Sequence, residues 1–196
     1  MSPRRIVIVG GGPAGVGAAL GARQQDPAAE VMLLSDESCE PYEKPPLSKA
    51  VLTGKAMPHE APIAGPRGVV GANITFKAGA RVQTVERAAK SVVTEAGERI
   101  SYDALVLATG SINRILPIFP PAPRVHYLRT EQESLALKAA LARSRSLIVI
   151  GGGLIGLEVA ASAAELGVTT TVIEIAPRIL ARVCDEETSE IGRAHV

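Results

Sequence analysis

Tryptophan is absent from this chain of 196 residues, and two phenylalanines and three tyrosines are its whole aromatic complement. A base-stacking surface for single-stranded nucleic acid needs more aromatic faces than that. Cysteine occurs twice, at Cys39 and Cys184, which excludes a disulfide framework and a thiolate metal cluster. The three histidines, His59, His126 and His195, have no ligand spacing, so no metal site is expected. Neither sign of charge dominates: 21 Lys and Arg face 20 Asp and Glu, a net charge of +1. That balance gives no electrostatic case for nucleic acid or an anionic membrane as a partner. Long hydrophobic runs are missing too, because glycine interrupts each one short of a membrane span. Arg4 and Arg5 are followed at once by a strand pattern and a glycine turn, with no apolar core or cleavage site. No targeting segment is read there, and the cytoplasm is the expected location.

What remains is an ordinary globular composition, 46% apolar, long enough for one to two domains. Arg5 to Val9 is a short β-branched run, typical of a buried parallel strand. "GGGPAG" turns the chain into an alanine-rich helical stretch, and Glu30 to Leu34 returns as a strand. Residues 37–73 are rich in Pro and Gly and fit no long regular element. From Ile74 the period changes to two: "ITF", "ARVQTVE", "KSVVTE" and "RISYD" predict a small antiparallel meander with "EAGE" as a hairpin turn. "ALVLATG", Ala104 to Gly110, reads as a buried strand, and the Pro-rich stretch after it as a domain boundary. "TEQESLALKAALARS" is a helix with Thr130 as its N-cap and acids in its first turn. "SLIVI", the turn "GGGLIG", the helix "LEVAASAAELG" and the strand "TTTVIE" then repeat the opening unit.

Gly10, Gly12 and Gly15 form G-x-G-x-x-G directly after a strand and at the opening of a helix. The first glycine permits the turn, the second lets a pyrophosphate approach the backbone, and the third lets helix and strand pack closely. The helix N-terminus offers free N–H groups to phosphate. Asp36, roughly twenty residues on, is placed to accept from a ribose hydroxyl. Gly151, Gly153 and Gly156 repeat the pattern with Glu174 as the acid. One such fingerprint is weak; two in register predict an α/β protein of two Rossmann-like dinucleotide-binding units with a small antiparallel meander. Pro13 and Ala14 give the first turn a form often seen where the adenine half of FAD binds. Glu174 is followed by Ile175 and Ala176 rather than arginine, which favours NADH over NADPH, with Arg178 near enough to leave the question open.

On the first fingerprint, "PYEKPPLSKAVLTGK", "YDALVLATGS", "HYLRTEQES" and "GGGLIGLEVAASAAELGVTTTVIE", the chain resembles the FAD-dependent NADH:ferredoxin reductases of bacterial oxygenase systems, the putidaredoxin and rhodocoxin reductase group. The resemblance implies a flavoprotein that passes electrons from NADH through FAD to a [2Fe–2S] ferredoxin. It implies FAD contacts from Ala14, Asp36, Lys49 near the isoalloxazine, Val82 at the adenine, Thr109, Gly110 and Arg129. It places Gly152 to Gly156, Ile155 among them, with Glu158 and Glu174 around NADH. Lys49 would act electrostatically, and Lys44 stands where the group often has arginine. Lys49 and Arg129 as solvated charges, Glu158 as a first-turn acid and Tyr42 as packing are the structural alternatives. Disulfide reductases of this plan carry a cysteine pair beside the flavin, whereas the first region here offers Cys39 alone. An NADH oxidase or peroxidase-like flavoenzyme, and an apoptosis-inducing-factor-like NADH-responsive flavoprotein, are the rival readings.

The expected organisation is an FAD-binding segment over 1–112, an incomplete NAD-binding domain over 113–190 and a non-native tail over 191–196. The later strands of the second unit, a returning Gly-Asp motif and a C-terminal domain of the group are not found in the sequence. A fragment of this kind is expected to expose apolar sheet edges and to be inactive by itself.

Overall fold

The computed structural model describes residues 3–193, and of residues 191–193 the backbone alone. The expected tail Ile191–Val196 therefore lies outside the described residues but for that backbone. Two compact units divide the chain: one runs to Glu43 and resumes over His59–Ile112, and the other takes Lys44–Pro58 and the chain from Asn113.

In the first unit β1 (Arg5–Val9), α1 (Pro13–Gln25) and β2 (Glu30–Leu34) form the opening βαβ. β3 (Thr75–Lys77) and β7 (Ala104–Leu107) complete a four-stranded parallel sheet in the order β3-β2-β1-β7. Between them β4 (Val82–Glu86), β5 (Ser91–Thr94) and β6 (Arg99–Ser101) form a separate antiparallel sheet. The unbroken apolar run of β1 follows from cover on both faces. Ile8 packs with Val16 and Ala19 of α1, while Val7 and Val9 pack with Val92 and Ile100 of the small sheet.

Two sequence expectations are corrected here. "ITF" is not the first strand of the meander: β3 pairs in parallel with β2, Met32 opposite Thr75, and Ile74 is buried beside α1. Alternation fixes which side chains share a face but not which strand is the neighbour. "ALVLATG" is neither fully buried nor a strand to Gly110. β7 stops at Leu107 and is an edge strand, where Leu107 is 60% exposed.

The second unit contains α2 (Glu131–Leu141), β8 (Ser146–Ile150), α3 (Leu154–Glu165), β9 (Thr169–Ile173) and α4 (Glu186–Arg193). β8 and β9 pair in parallel, Ser146 opposite Thr169 and Ile150 opposite Ile173. One face is closed by Leu137, Leu141, Val159 and Ala163 from the helices, together with Leu52. On the other, Ile148, Ile150 and Ile173 are exposed. Helix α3 begins at Leu154, three residues before the predicted start, so "LIG" is its first turn. Among the described residues no helix is long and apolar enough to cross a membrane.

Candidate functional site

The first glycine turn is built by contacts that exclude a side chain at two positions and leave a third open. Gly10 has φ +118°, donates its N–H to the Leu34 carbonyl, and would bring a Cβ to 2.1 Å from the Ala108 carbonyl oxygen. A Cβ on Gly15 would lie 1.8 Å from the Gly10 carbonyl oxygen. Nothing lies within 4 Å of the Cβ position at Gly12, the N-cap of α1, and no side chain caps the helix there. Pro13 takes the first helical position, where its missing N–H costs nothing. Open space thus faces uncapped helix N–H groups, which fits the pyrophosphate of a dinucleotide.

Other expected residues of this unit lie around that turn or on its sheet edge. The Thr109 backbone follows Ala108 against Gly10, and Gly110 has φ +68°. Asp36 stands exposed, just past β2. Val82 is on the edge strand β4, beside a bulge. The Arg81 carbonyl accepts from Glu95 and the Thr94 N–H goes to Glu98, so the Val82 amide is directed to the open edge.

The second turn repeats the geometry. Gly151 has φ +107° and donates to the Ile173 carbonyl; a Cβ on Gly156 would lie 2.1 Å from the Gly151 carbonyl oxygen; Gly153 caps α3 with nothing within 4 Å. It differs in being closed by its own acid. The Glu174 carboxylate accepts from the Gly152 N–H at 2.7 Å and the Ala176 N–H at 2.8 Å. Those two N–H groups, Ala176 first, hold its carboxyl below the usual carboxylate range, helped weakly by the charge of Arg182 and opposed weakly by burial. Leu180, with φ +53°, donates its N–H to the Gly152 carbonyl and wraps the following loop onto the turn. An open cavity of about 1180 Å³ lies here, lined by Gly151–Gly156, exposed Ile155, Glu174, His126 and Arg182. Arg178 is tied into the loop, donating to the Asp185 carbonyl at 3.0 Å; Arg124 lines the cavity with Glu174, and so does Arg182, whose charge acts on Glu174. Sequence reading missed Arg182 because nothing local marks it.

Lys49 and Glu158, expected at different cofactors, meet within the second unit. Lys49 Nζ lies 2.9 Å from Glu158 Oε1, and the Ser48 hydroxyl donates to Oε2 of the same carboxylate. Burial pushes the Glu158 carboxyl up, but the Ser48 hydrogen bond and the bond and charge of Lys49 outweigh it, and the carboxyl sits below its usual range. Ser48 was not singled out from sequence. Arg129 donates its backbone N–H to Glu133 at 2.7 Å, and its carbonyl accepts from Lys44 Nζ at 3.4 Å. Glu133 also receives the Thr130 N–H and closes a capping box at the start of α2. Among the described residues no group of three or more His, Cys, Asp and Glu could hold a metal ion.

A family model described as pyridine nucleotide-disulphide oxidoreductase matches residues 4–196. The chain is 40% identical over 193 residues to the ferredoxin–NAD(+) reductase component of a p-cumate 2,3-dioxygenase system of Pseudomonas putida, covering 97% of this chain and 48% of the relative. It is 39% identical to a rubredoxin–NAD(+) reductase of the same species, over 97% of this chain and 50% of the relative. In structure it is similar to putidaredoxin reductase in its covalent complex with putidaredoxin, with TM-score 0.90, 35% identity, and cover of 100% of this chain and 48% of that one. The chain spans about half the length of the curated relatives it matches.

Proposed function

The chain belongs to the pyridine nucleotide-disulphide oxidoreductase family, and from that premise we propose that it is part of a cytoplasmic reductase carrying electrons from NADH through FAD to a [2Fe–2S] ferredoxin that serves an oxygenase. The observation that carries the reading is the repeated glycine turn, closed at Gly10 and Gly15 but open at Gly12, and closed at Gly156 but open at Gly153. Two such turns provide for two dinucleotides, one in each Rossmann-like unit. The identity of the relatives over nearly the whole chain supports the choice of electron donor and acceptor.

In this reading the α1 turn, Gly10 to Gly15 with Pro13 and Ala14, receives the FAD pyrophosphate. Asp36 accepts from its ribose, the Val82 backbone meets the adenine, and Thr109 and Gly110 pass beside it. The α3 turn, Gly151 to Gly156, receives NADH. Glu174, kept ionised by its two backbone donors, accepts from the adenosine ribose and repels a 2′-phosphate. Bound FAD supplies the conversion of a two-electron donor into single electrons for the ferredoxin. Lys49 favours added negative charge on the flavin, and Arg129 adds a second cation. Glu158 holds the Lys49 ammonium in place while its own charge is balanced. The proposed organisation is FAD-binding over 1–112 and NAD-binding over 113–190, with Lys44–Pro58 packed in the second unit. Cys39 has no second cysteine within its unit, which argues against a thiol–disulfide relay.

The test begins with FAD, NADH and NADPH titrations of the chain, then follows NADH-driven cytochrome c reduction by the full-length protein, with and without a [2Fe–2S] ferredoxin or a rubredoxin. FAD and NADH binding with ferredoxin-dependent reduction is the expected result. Dependence on rubredoxin alone moves the acceptor. Rapid flavin bleaching that neither carrier accelerates removes the electron-transfer assignment and leaves the dinucleotide sites.

A further inference from the structure

Ser134 on α2 and Ser162 on α3 are buried hydroxyls that neither glycine turn uses. Ser134 Oγ donates to the Leu47 carbonyl at 2.7 Å, and Ser162 Oγ donates to the Ser48 carbonyl at 2.8 Å. Those carbonyls belong to the consecutive residues just before Lys49. Ser162 follows Glu158 by one helical turn on the same face of α3. That face therefore grips Ser48 twice, at its carbonyl through Ser162 and at its hydroxyl through Glu158.

Serine gives a helix no intrinsic advantage over alanine, and a buried hydroxyl is costly unless bonded. Both hydroxyls are bonded outward, to the backbone of one short segment. Fixing the Leu47 and Ser48 carbonyls fixes the direction in which the chain delivers Lys49, whose long side chain is otherwise free to wander. The neighbouring pair, Lys55 with Glu165, has both side chains more than half exposed and no such hydroxyl grip on the residues before it. It is a control within the same segment.

We propose that Ser134 and Ser162 are positioning residues for Lys49, holding its backbone so that the ammonium is delivered to Glu158. The importance of this for the flavin rests on the reading of Lys49 given above.

The experiment measures acetylation of individual lysines in the 196-residue chain by an amine-reactive ester, using mass spectrometry. In the double variant Ser134→Ala/Ser162→Ala, Lys49 labelling should rise about two- to fivefold, the range set by loosening a half-exposed ion pair. It should approach the level of Glu158→Gln, with Lys55 unchanged. Val168→Ala loosens the same core without removing either hydroxyl and should leave Lys49 labelling unchanged. Ser162→Cys, which keeps volume but donates weakly, gives the same reading if the double variant does not fold. Unchanged Lys49 labelling, or an equal rise in Val168→Ala, would overturn the proposal. In the FAD-loaded chain the flavin midpoint potential is a separate readout. Raised labelling with a potential shift in the direction that Lys49→Ala gives supports both readings. Raised labelling with an unmoved potential keeps the positioning role and removes the flavin role of Lys49.

Discussion

One methyl group added at Gly15 and one at Gly12 should have different consequences, because only the first would strike the backbone. At Gly15 the new Cβ would overlap the Gly10 carbonyl oxygen at 1.8 Å, so helix and strand must separate. Gly15→Ala should lower stability by about 1–3 kcal/mol or more, as overpacking does. At Gly12 the space is open and φ is −81°, so the chain tolerates alanine with only the loss of a better N-cap. Gly12→Ala should instead weaken FAD binding about tenfold or more, some 1.4 kcal/mol, by filling the approach to the pyrophosphate. Urea unfolding and a flavin-fluorescence titration separate the two, and equal FAD affinity in Gly12→Ala and wild type would remove the first turn as the pyrophosphate site. Glu158 yields a pH prediction of definite sign. Its carboxyl is lowered in the native state, so it contributes stability that is complete above the ordinary glutamate value of about 4.3 and is lost as pH falls through the lowered native value. The difference in Tm between wild type and Glu158→Gln should be constant near neutrality and shrink towards zero on acidification below that point. A difference that grows in acid would mean the carboxylate is not stabilised by Ser48 and Lys49.

Helix α2 shows how much an element can carry beyond its own sequence signal. Thr130 accepts the Glu133 N–H, and Glu133 returns its carboxylate to the Thr130 and Arg129 N–H groups and accepts from the Asn113 side chain at 2.9 Å. Thr130→Ala should cost about 1 kcal/mol and should also speed hydrogen exchange at Arg129, because the Glu133 N–H loses its acceptor and the first turn that carries the Glu133 carboxylate frays. Faster exchange at the helix start without any change at Arg129 would limit the box to capping. The cap itself was legible, since a threonine followed by first-turn acids is a local pattern. The reach to Asn113 was not, because no spacing rule connects residues twenty apart. The same division runs through the fold. Both glycine turns were legible because a positive φ at Gly10 and contact at Gly15 are demands made by neighbours in the chain. The parallel partner of β3 was not, because Ile74 and Phe76 show a face and leave the neighbouring strand unstated. Nor were Ser134 and Ser162, which in sequence are polar residues on helices and become informative only through the carbonyls they meet.

At the scale of the whole molecule, chain order and packing order disagree over Lys44–Pro58. The sequence places it inside the first half, between β2 and the strands that complete the first sheet, and yet it packs with the chain from Asn113. Leu52 is buried with Leu137, Leu141, Val149 and Val159, the carbonyls of Leu47 and Ser48 are held from α2 and α3, and Lys49 and Lys55 pair with Glu158 and Glu165. A segment stabilised this way should share the local stability of the elements that hold it, since cooperative exchange follows packing rather than sequence. Leu137→Ala removes a buried side chain from that cluster and should cost about 2–5 kcal/mol. Peptides covering residues 47–55 should then lose protection together with α2 and α3, while β1 and β2 serve as the reference. Hydrogen exchange read by mass spectrometry on wild type and variant checks it. If 47–55 keeps its protection as α2 and α3 lose theirs, these contacts do not set its stability, and Lys49 is held by something other than the two helices.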